Sequence, residues 1–314
     1  MAVNWLRFFA GMVLGLWCWL AHAQLLSRLV VPFPAGGSLD RVARMLAPEL
    51  SARTGRHYVV ENRPGADGAL ALEYLLKQPA QDRALLMVNP AVTTGQVNGA
   101  FKVDLSQALR PVIQVGETDR WLVARSDLPW SDVSALLKGL RQGQLRISCA
   151  GPPGPMLQAC EFLSRTFADQ VVVAPFKGEA PALQALLGGH VDLMFVTQSA
   201  AFDLVQGGRI RWMGTAAGRR AQAALEQVPK LQSILPGLDL LAGYIGVFAP
   251  ATASDDEVAQ VNRIINTALR SDSMIQMLQS AHISPVGGAA SVMREAFLQD
   301  LHHQEKGQKA SVRK

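Results

Sequence analysis

Residues 29–41, Leu29-Val30-Val31-Pro32-Phe33-Pro34-Ala35-Gly36-Gly37-Ser38-Leu39-Asp40-Arg41, decide how this chain is read. The apolar run Leu29–Val31 has the character of a buried strand. Pro32 and Pro34 break it, Gly36-Gly37 turn the chain, and an amphipathic helix follows. Leu39, Val42, Ala43, Leu46 and Leu50 recur on one face of that helix at three- and four-residue steps. Strand, glycine turn and helix start together form an anion site, because the first N–H groups of a helix lack partners and carry the positive end of its dipole. Gly36 and Gly37 are expected to permit positive φ and close approach of a ligand. An ordinary tight βα turn explains the same residues, and both readings stand on this stretch alone. Asp40, in the first turn, suits the dipole and is placed to brace the loop. Ser38 reads as a helix N-cap rather than a nucleophile.

Outward from this segment the order is strand then helix. The first helix, 38–52, contains Pro48, which is expected to kink it or end it early. Strand 57–61 passes through the turn 62–68 into helix 69–77, and strand 84–88 ends at Asn89-Pro90. Strands near 111–116 and 120–125 precede helix 131–141, with Ser131 as its cap. Strand 144–149, a Gly-Pro loop and helix 156–167 follow. Then come strand 171–174, helix 180–187, strand 191–196, helix 200–206 and strand 209–215. Strand 244–249 leads to helix 254–270, which opens with the capping box Ser254-Asp255-Asp256-Glu257, and helices near 272–280 and 291–303 come last. Alternating βα units predict an α/β fold with parallel, doubly wound sheets. Ligands of such sheets bind beyond the carboxyl ends of the strands, so the loops after Val31, Val88, Cys149 and Val196 should surround one site.

The first 23 residues have the pattern of a cleavable export signal. Arg7 supplies the charge, Phe8–Leu20 the apolar stretch and Ala21-His22-Ala23 the small-x-small cleavage site, leaving Gln24 first. The apolar stretch is shorter than the roughly 20 residues that a membrane span needs, and no later stretch reaches that length. A soluble, exported, periplasmic chain of about 290 residues is expected, long enough for two domains. Removing Arg7 lowers the formal charge from +5 to +4, part of which sits in the tail Lys306, Lys309, Arg313 and Lys314. No long basic stripe with interleaved aromatics argues for nucleic acid, while a mild positive charge assists an arriving anion. Of the cysteines, Cys149 and Cys160 survive cleavage, and in an oxidising compartment they are placed either to pair or to remain free.

Catalytic patterns are scarce. There is no GxxxxGK[ST], no GxSxG and no HExxH. His57, His190, His282, His302 and His303 read as surface histidines, and without clustered ligands no metal or cofactor is expected. The expectation is a binding protein, not an enzyme.

Several segments, in order, resemble one family. They are Val31–Asp40, Val60-Glu61-Asn62-Arg63-Pro64-Gly65-Ala66, Pro175-Phe176-Lys177-Gly178 with Pro181-Ala182, Leu186-Leu187-Gly188-Gly189-His190-Val191-Asp192, Phe248-Ala249-Pro250 and Pro285-Val286-Gly287-Gly288. Together they are similar to the Bug (TctC-like) extracytoplasmic solute receptors of tripartite tricarboxylate transporters. The resemblance implies a two-lobed periplasmic-binding-protein (Venus-flytrap) fold, with two doubly wound sheets joined by crossover strands. Lobe 1 would hold 24–120 and 246–314, and lobe 2 would hold 121–245. It implies a small carboxylate in the cleft between lobes, integral-membrane transporter subunits as partners, and a monomer. The first ligand loop would be Phe33, Pro34, Ala35, Gly36, Gly37, Ser38 and Asp40. The second, with Cys149, Ala150, Gly151 and Gly154, departs from the family's Ser/Gly-rich run. Pro152, Pro153 and Pro155 have no N–H to donate, and Leu157 stands where relatives carry a histidine. Asp67 and Ala185 also replace a usual glycine and aspartate.

Asn89 and Thr197, at strand ends, would orient the ligand. Met156 and Leu157 read equally as helix core or as apolar cleft surface. The expected ligand therefore has one carboxylate and a less polar far end. Two other readings are a periplasmic sensor or adaptor without a transport role, and an exported hydrolase using Ser38 or Cys149.

Overall fold

The computed structural model describes residues 25–151, 154–176, 178–216, 229–238 and 240–312. The expected leader and the prolines Pro152 and Pro153 lie outside them. Two sheets organise the described chain. The first has the order β11-β4-β10-β3-β1-β2 and the second β7-β6-β8-β5-β9. Their strands are β1 (Leu26–Val31), β2 (His57–Asn62), β3 (Leu85–Val88), β4 (Leu109–Thr118), β10 (Gly243–Pro250) and β11 (Ser284–Pro285) in the first, and β5 (Arg120–Arg125), β6 (Ile147–Gly151), β7 (Val171–Pro175), β8 (Leu193–Thr197) and β9 (Ile210–Ala216) in the second.

Both sheets are covered on both faces, and the side-chain alternation of the strands shows it. Leu29 and Val31 enter one apolar cluster while Val30 between them enters another. In the second sheet Leu122 and Ala124 go one way, Trp121 and Val123 the other. This is the two-sided burial that near-continuous apolar strands require. The expectation of parallel sheets holds for β1 with β2 and β3, and for β6 with β7 and β8. It fails for β4, β5, β9 and β10, which pair antiparallel. The reason is connectivity: β4 ends at Thr118, β5 begins at Arg120, and the chain passes between sheets through Asp119 alone. The expected lobe limits fall inside strands, since Arg120 already pairs in the second sheet and Gly243–Ile245 already pair in the first.

The helix after β1, α1, runs Ser38–Thr54 and continues past Pro48 rather than ending there. Its apolar face buries Leu39, Val42, Ala43, Leu46 and Leu50. Asp132, not Ser131, caps helix Val133–Arg141, accepting from Ala135 N; Ser131 donates to Asp132 instead. The capping box at Ser254 and Glu257 forms as expected. Cys149 and Cys160 are joined in a disulfide, with Cα atoms 5.6 Å apart. Among the described residues no helix is long and apolar enough to cross a membrane.

Candidate functional site

The first loop is held by a single carboxylate. Asp40 is 2% exposed; its Oδ2 accepts from Gly36 N at 2.9 Å and from Arg44 Nε at 2.9 Å, and its Oδ1 accepts from Asn62 Nδ2 at 2.9 Å. Asn62 Nδ2 also donates to Phe33 O at 3.1 Å, so the end of β2 clamps the loop after β1. Burial pushes the Asp40 carboxyl up, but the bonds from Arg44, Gly36 and Asn62 outweigh it and hold it below the usual carboxylate range. The expected positive φ is found at Gly36 (φ 90°) and not at Gly37, which is extended and serves as the N-cap of α1. Ser38 is thus the first helical residue rather than the cap. No side chain caps this helix end, so its leading N–H groups remain open to a ligand.

A cleft of about 260 Å³ lies between the sheets. From the first sheet's side it is lined by Phe33, Ser38, Asn89, Thr118 and Tyr244, and from the second by Arg120, Pro155, Met156, Glu179 and Thr197. These residues share a position in the architecture. Ser38 begins α1, Asn89 caps helix Pro90–Val97, Pro155 begins helix Pro155–Thr166, Glu179 begins helix Glu179–Leu187, and Thr197 is the N-cap of helix Gln198–Gln206. Several helix dipoles therefore direct their positive ends at one cavity.

Of the sequence-predicted site residues, Phe33, Ser38, Asn89 and Thr197 line this cleft together. Pro34, Ala35, Gly36, Gly37 and Asp40 shape the first loop without lining it. Asn89 Oδ1 is engaged as the cap of Ala91 N at 3.1 Å. Thr197 is engaged too, since its N–H and hydroxyl both donate to Glu179, the latter at 3.0 Å. Cys149, Ala150 and Gly151 are buried strand residues, and Cys149 is spent in the disulfide. Gly154 serves close approach between lobes, because a Cβ there would lie 2.6 Å from Thr94 Oγ1. Met156 faces the cleft and also packs on the second lobe's core, so both readings of it hold; Leu157 does not line the cleft.

The sequence reading missed the cleft's charged side chains. Arg120 is 2% exposed, and its Nη1 donates to Leu241 O at 2.6 Å. Burial pulls its pKa down while Asp300, Tyr244 and Glu179 act in the opposite sense. Glu179 is pushed up by burial against its bonds to Thr197 and the charge of Arg120. Behind Tyr244, Asp300 accepts from Thr93 Oγ1 and Gln304 Nε2. Asp300 and Gln304 come from helix Ala290–Val312, where Met293, Phe297, Asp300 and Gln304 make one buried face. Their four-, three- and four-residue steps were the available signal.

The model for the tripartite tricarboxylate transporter family receptor matches residues 42–309. The chain belongs to this receptor family. Among curated relatives, the UPF0065 protein of the tcbD-tcbE intergenic region of Pseudomonas sp. strain P51 is 28% identical, over 96% of this chain and 92% of the relative. Protein BugT of Bordetella pertussis is 27% identical, over 82% of this chain and 81% of its own. Among solved structures, Rpa4515 of R. palustris with adipate superposes with a TM-score of 0.78 at 26% identity, covering 92% of this chain and 97% of that one. MatC of Rhodopseudomonas palustris with bound malate shares the fold, with a TM-score of 0.75 at 24% identity over 90% of this chain and 98% of its own. The receptor fold is that of two-lobed periplasmic binding proteins, and the helix ends described above lie in its interlobe cleft.

Proposed function

We propose that this receptor captures a small carboxylate in the cleft between Ser38 and Thr197 and presents it to integral-membrane subunits of a tripartite tricarboxylate-type transporter. The observation that carries this reading is the convergence of uncapped helix N-termini on one cavity that also holds Arg120. The acid would sit on the leading N–H groups of α1, with Asp40 fixing the loop beneath it. We further propose export to the periplasm on the leader 1–23, action as a monomer, and the division into lobes 24–120 with 246–314 and 121–245, shifted so that each crossover strand joins the sheet it pairs in. Lobe closure would exclude water from the acid and offer a new surface to the membrane partner.

The sensor or adaptor reading draws no support from the cleft, whose positive helix ends and guanidinium point to an acid. Neither does a hydrolase, since no histidine is among the cleft-lining residues and Cys149 is bridged to Cys160. Thermal unfolding with a panel of mono- and dicarboxylates tests the reading. A ligand at a hundredfold its Kd should stabilise the protein by about 2.7 kcal/mol. No stabilisation by any acid in the millimolar range would refute it.

A further inference from the structure

A second cavity, of about 300 Å³, lies behind the cleft, between β4, residues 241–244 and helix Ala290–Val312. Gly243 and Tyr244 line both cavities, so the start of β10 is the partition between them. Gly243 is the backbone part of that partition, pressed so close to β4 that a Cβ would lie 2.3 Å from Thr118 Oγ1. Tyr244 supplies the side chain, buried in the apolar cluster with Phe248, Met293 and Phe297. Its phenol feels the charge of Arg120, which lines the cleft, and of Asp300, which lines the rear cavity. These two buried charges attract one another, and Arg120 Nη1 donates at 2.6 Å to the carbonyl of Leu241 on the rear side. Packing and opposed charge thus close the partition, and it needs no ligand to complete it.

We propose that Tyr244 is the end wall of the ligand cleft and sets the longest acid that the receptor accepts. An acid seated by one carboxylate on the N-terminus of α1 at Ser38 extends until its chain meets the Tyr244 ring. A close-packed wall rejects further methylenes, because fitting them would displace its neighbours. Removing the ring would join the cleft to the rear cavity and admit a longer chain. This inference rests on the carboxylate reading above and adds a residue that selects by length rather than by charge.

Isothermal titration of the mature protein with straight-chain monocarboxylates and α,ω-dicarboxylates of four to ten carbons tests it. In the series that binds, wild-type affinity should fall about 10-fold or more within about two methylenes of one limiting length. In Tyr244→Ala and the milder Tyr244→Leu, the acid about two methylenes past that limit should regain about 10-fold. Tyr244→Phe, which keeps the ring, should keep the limit. Gln299→Trp, an exposed change on the wall of the rear cavity, should leave the wild-type profile as it is. A wild-type profile without a limit overturns the inference. So does a limit unmoved in folded Tyr244→Ala or Tyr244→Leu, a loss equal at every length, or a profile altered by Gln299→Trp; each of these leaves the carboxylate reading intact. The wild-type and Gln299→Trp profiles need no change in the core, so a variant that fails to fold does not blunt the test. If no acid of either series binds, the carboxylate reading falls and this inference falls with it.

Discussion

The loop after β1 and the loop after β6 each carry the chain from a parallel strand into a helix that starts at the cleft. The first turns on Gly36 at φ 90° and enters its helix at Ser38 with the leading N–H groups uncapped. The second turns on Gly154 at φ 104° but enters its helix at Pro155, which has no N–H to offer, and follows it with Met156. The first is braced by a hydrogen-bonded carboxylate, Asp40. The second is anchored by a covalent bond from Cys149, in the middle of its strand, to Cys160 in its helix. One supersecondary unit thus yields a polar lip and an apolar lip, and the difference lies in which residue follows the glycine. Two lips of unlike character can hold a molecule that is acidic at its end and apolar along its length.

The comparison breaks most visibly at the anchors. Replacing both Cys149 and Cys160 by alanine should cost about 2–3 kcal/mol by the loop-entropy relation, read from urea unfolding, with carboxylate affinity changed little because the helix on this lip opens with Pro155, which has no N–H. Asp40→Ala should cost about 1–3 kcal/mol, the penalty for stranding buried donors, and should also weaken acid binding about tenfold because the polar lip loosens. The pH dependence follows from the same carboxylate. Its folded pKa is depressed, so its stabilisation is present above its unfolded pKa of about 3.9 and is lost as pH falls through the folded value. The wild-type protein and Asp40→Ala should therefore converge in stability in strong acid and differ fully near neutrality. Smaller and sharper is the pair Gly36→Ala and Gly37→Ala. The first forces a left-handed residue and should cost about 1–2 kcal/mol. The second has ordinary φ and a nearest neighbour, Pro34 O, at 3.8 Å from an added Cβ, and should cost about 0.5–1 kcal/mol, the disadvantage of alanine at a helix N-cap. Ser38→Ala should reduce acid affinity by about fivefold, one hydrogen bond's worth, without a measurable change in unfolding.

Much of this was legible in the sequence. The apolar run Leu29–Val31 and the helical steps from Leu39 to Leu50 give the strand, the turn and the buried face of α1, and the bracing role of Asp40 follows from its place in the first turn. The assignment of the cap to Ser38 instead of Gly37 is an error of one residue, of the size that helix boundaries ordinarily carry. Pro48 misled because tertiary packing of α1's apolar face outweighs one lost hydrogen bond. Arg120 and Glu179 could not be found this way. Each is a lone charge beside a strand or helix end, and only the register of β5 on β8, with Arg120 opposite Thr197, brings the two to the same cavity. Pairing between strands so far apart in the chain leaves no local pattern to read.

The direct test of an acid held on the polar lip is amide chemical-shift mapping of the deuterated, nitrogen-15-labelled protein during titration with adipate. The amides of Ser38 and Leu39 should move downfield most strongly, and Met156 should report only the smaller change of an apolar contact. Strong shifts confined to the second loop, or none at Ser38 and Leu39 when the acid is bound, would contradict the account.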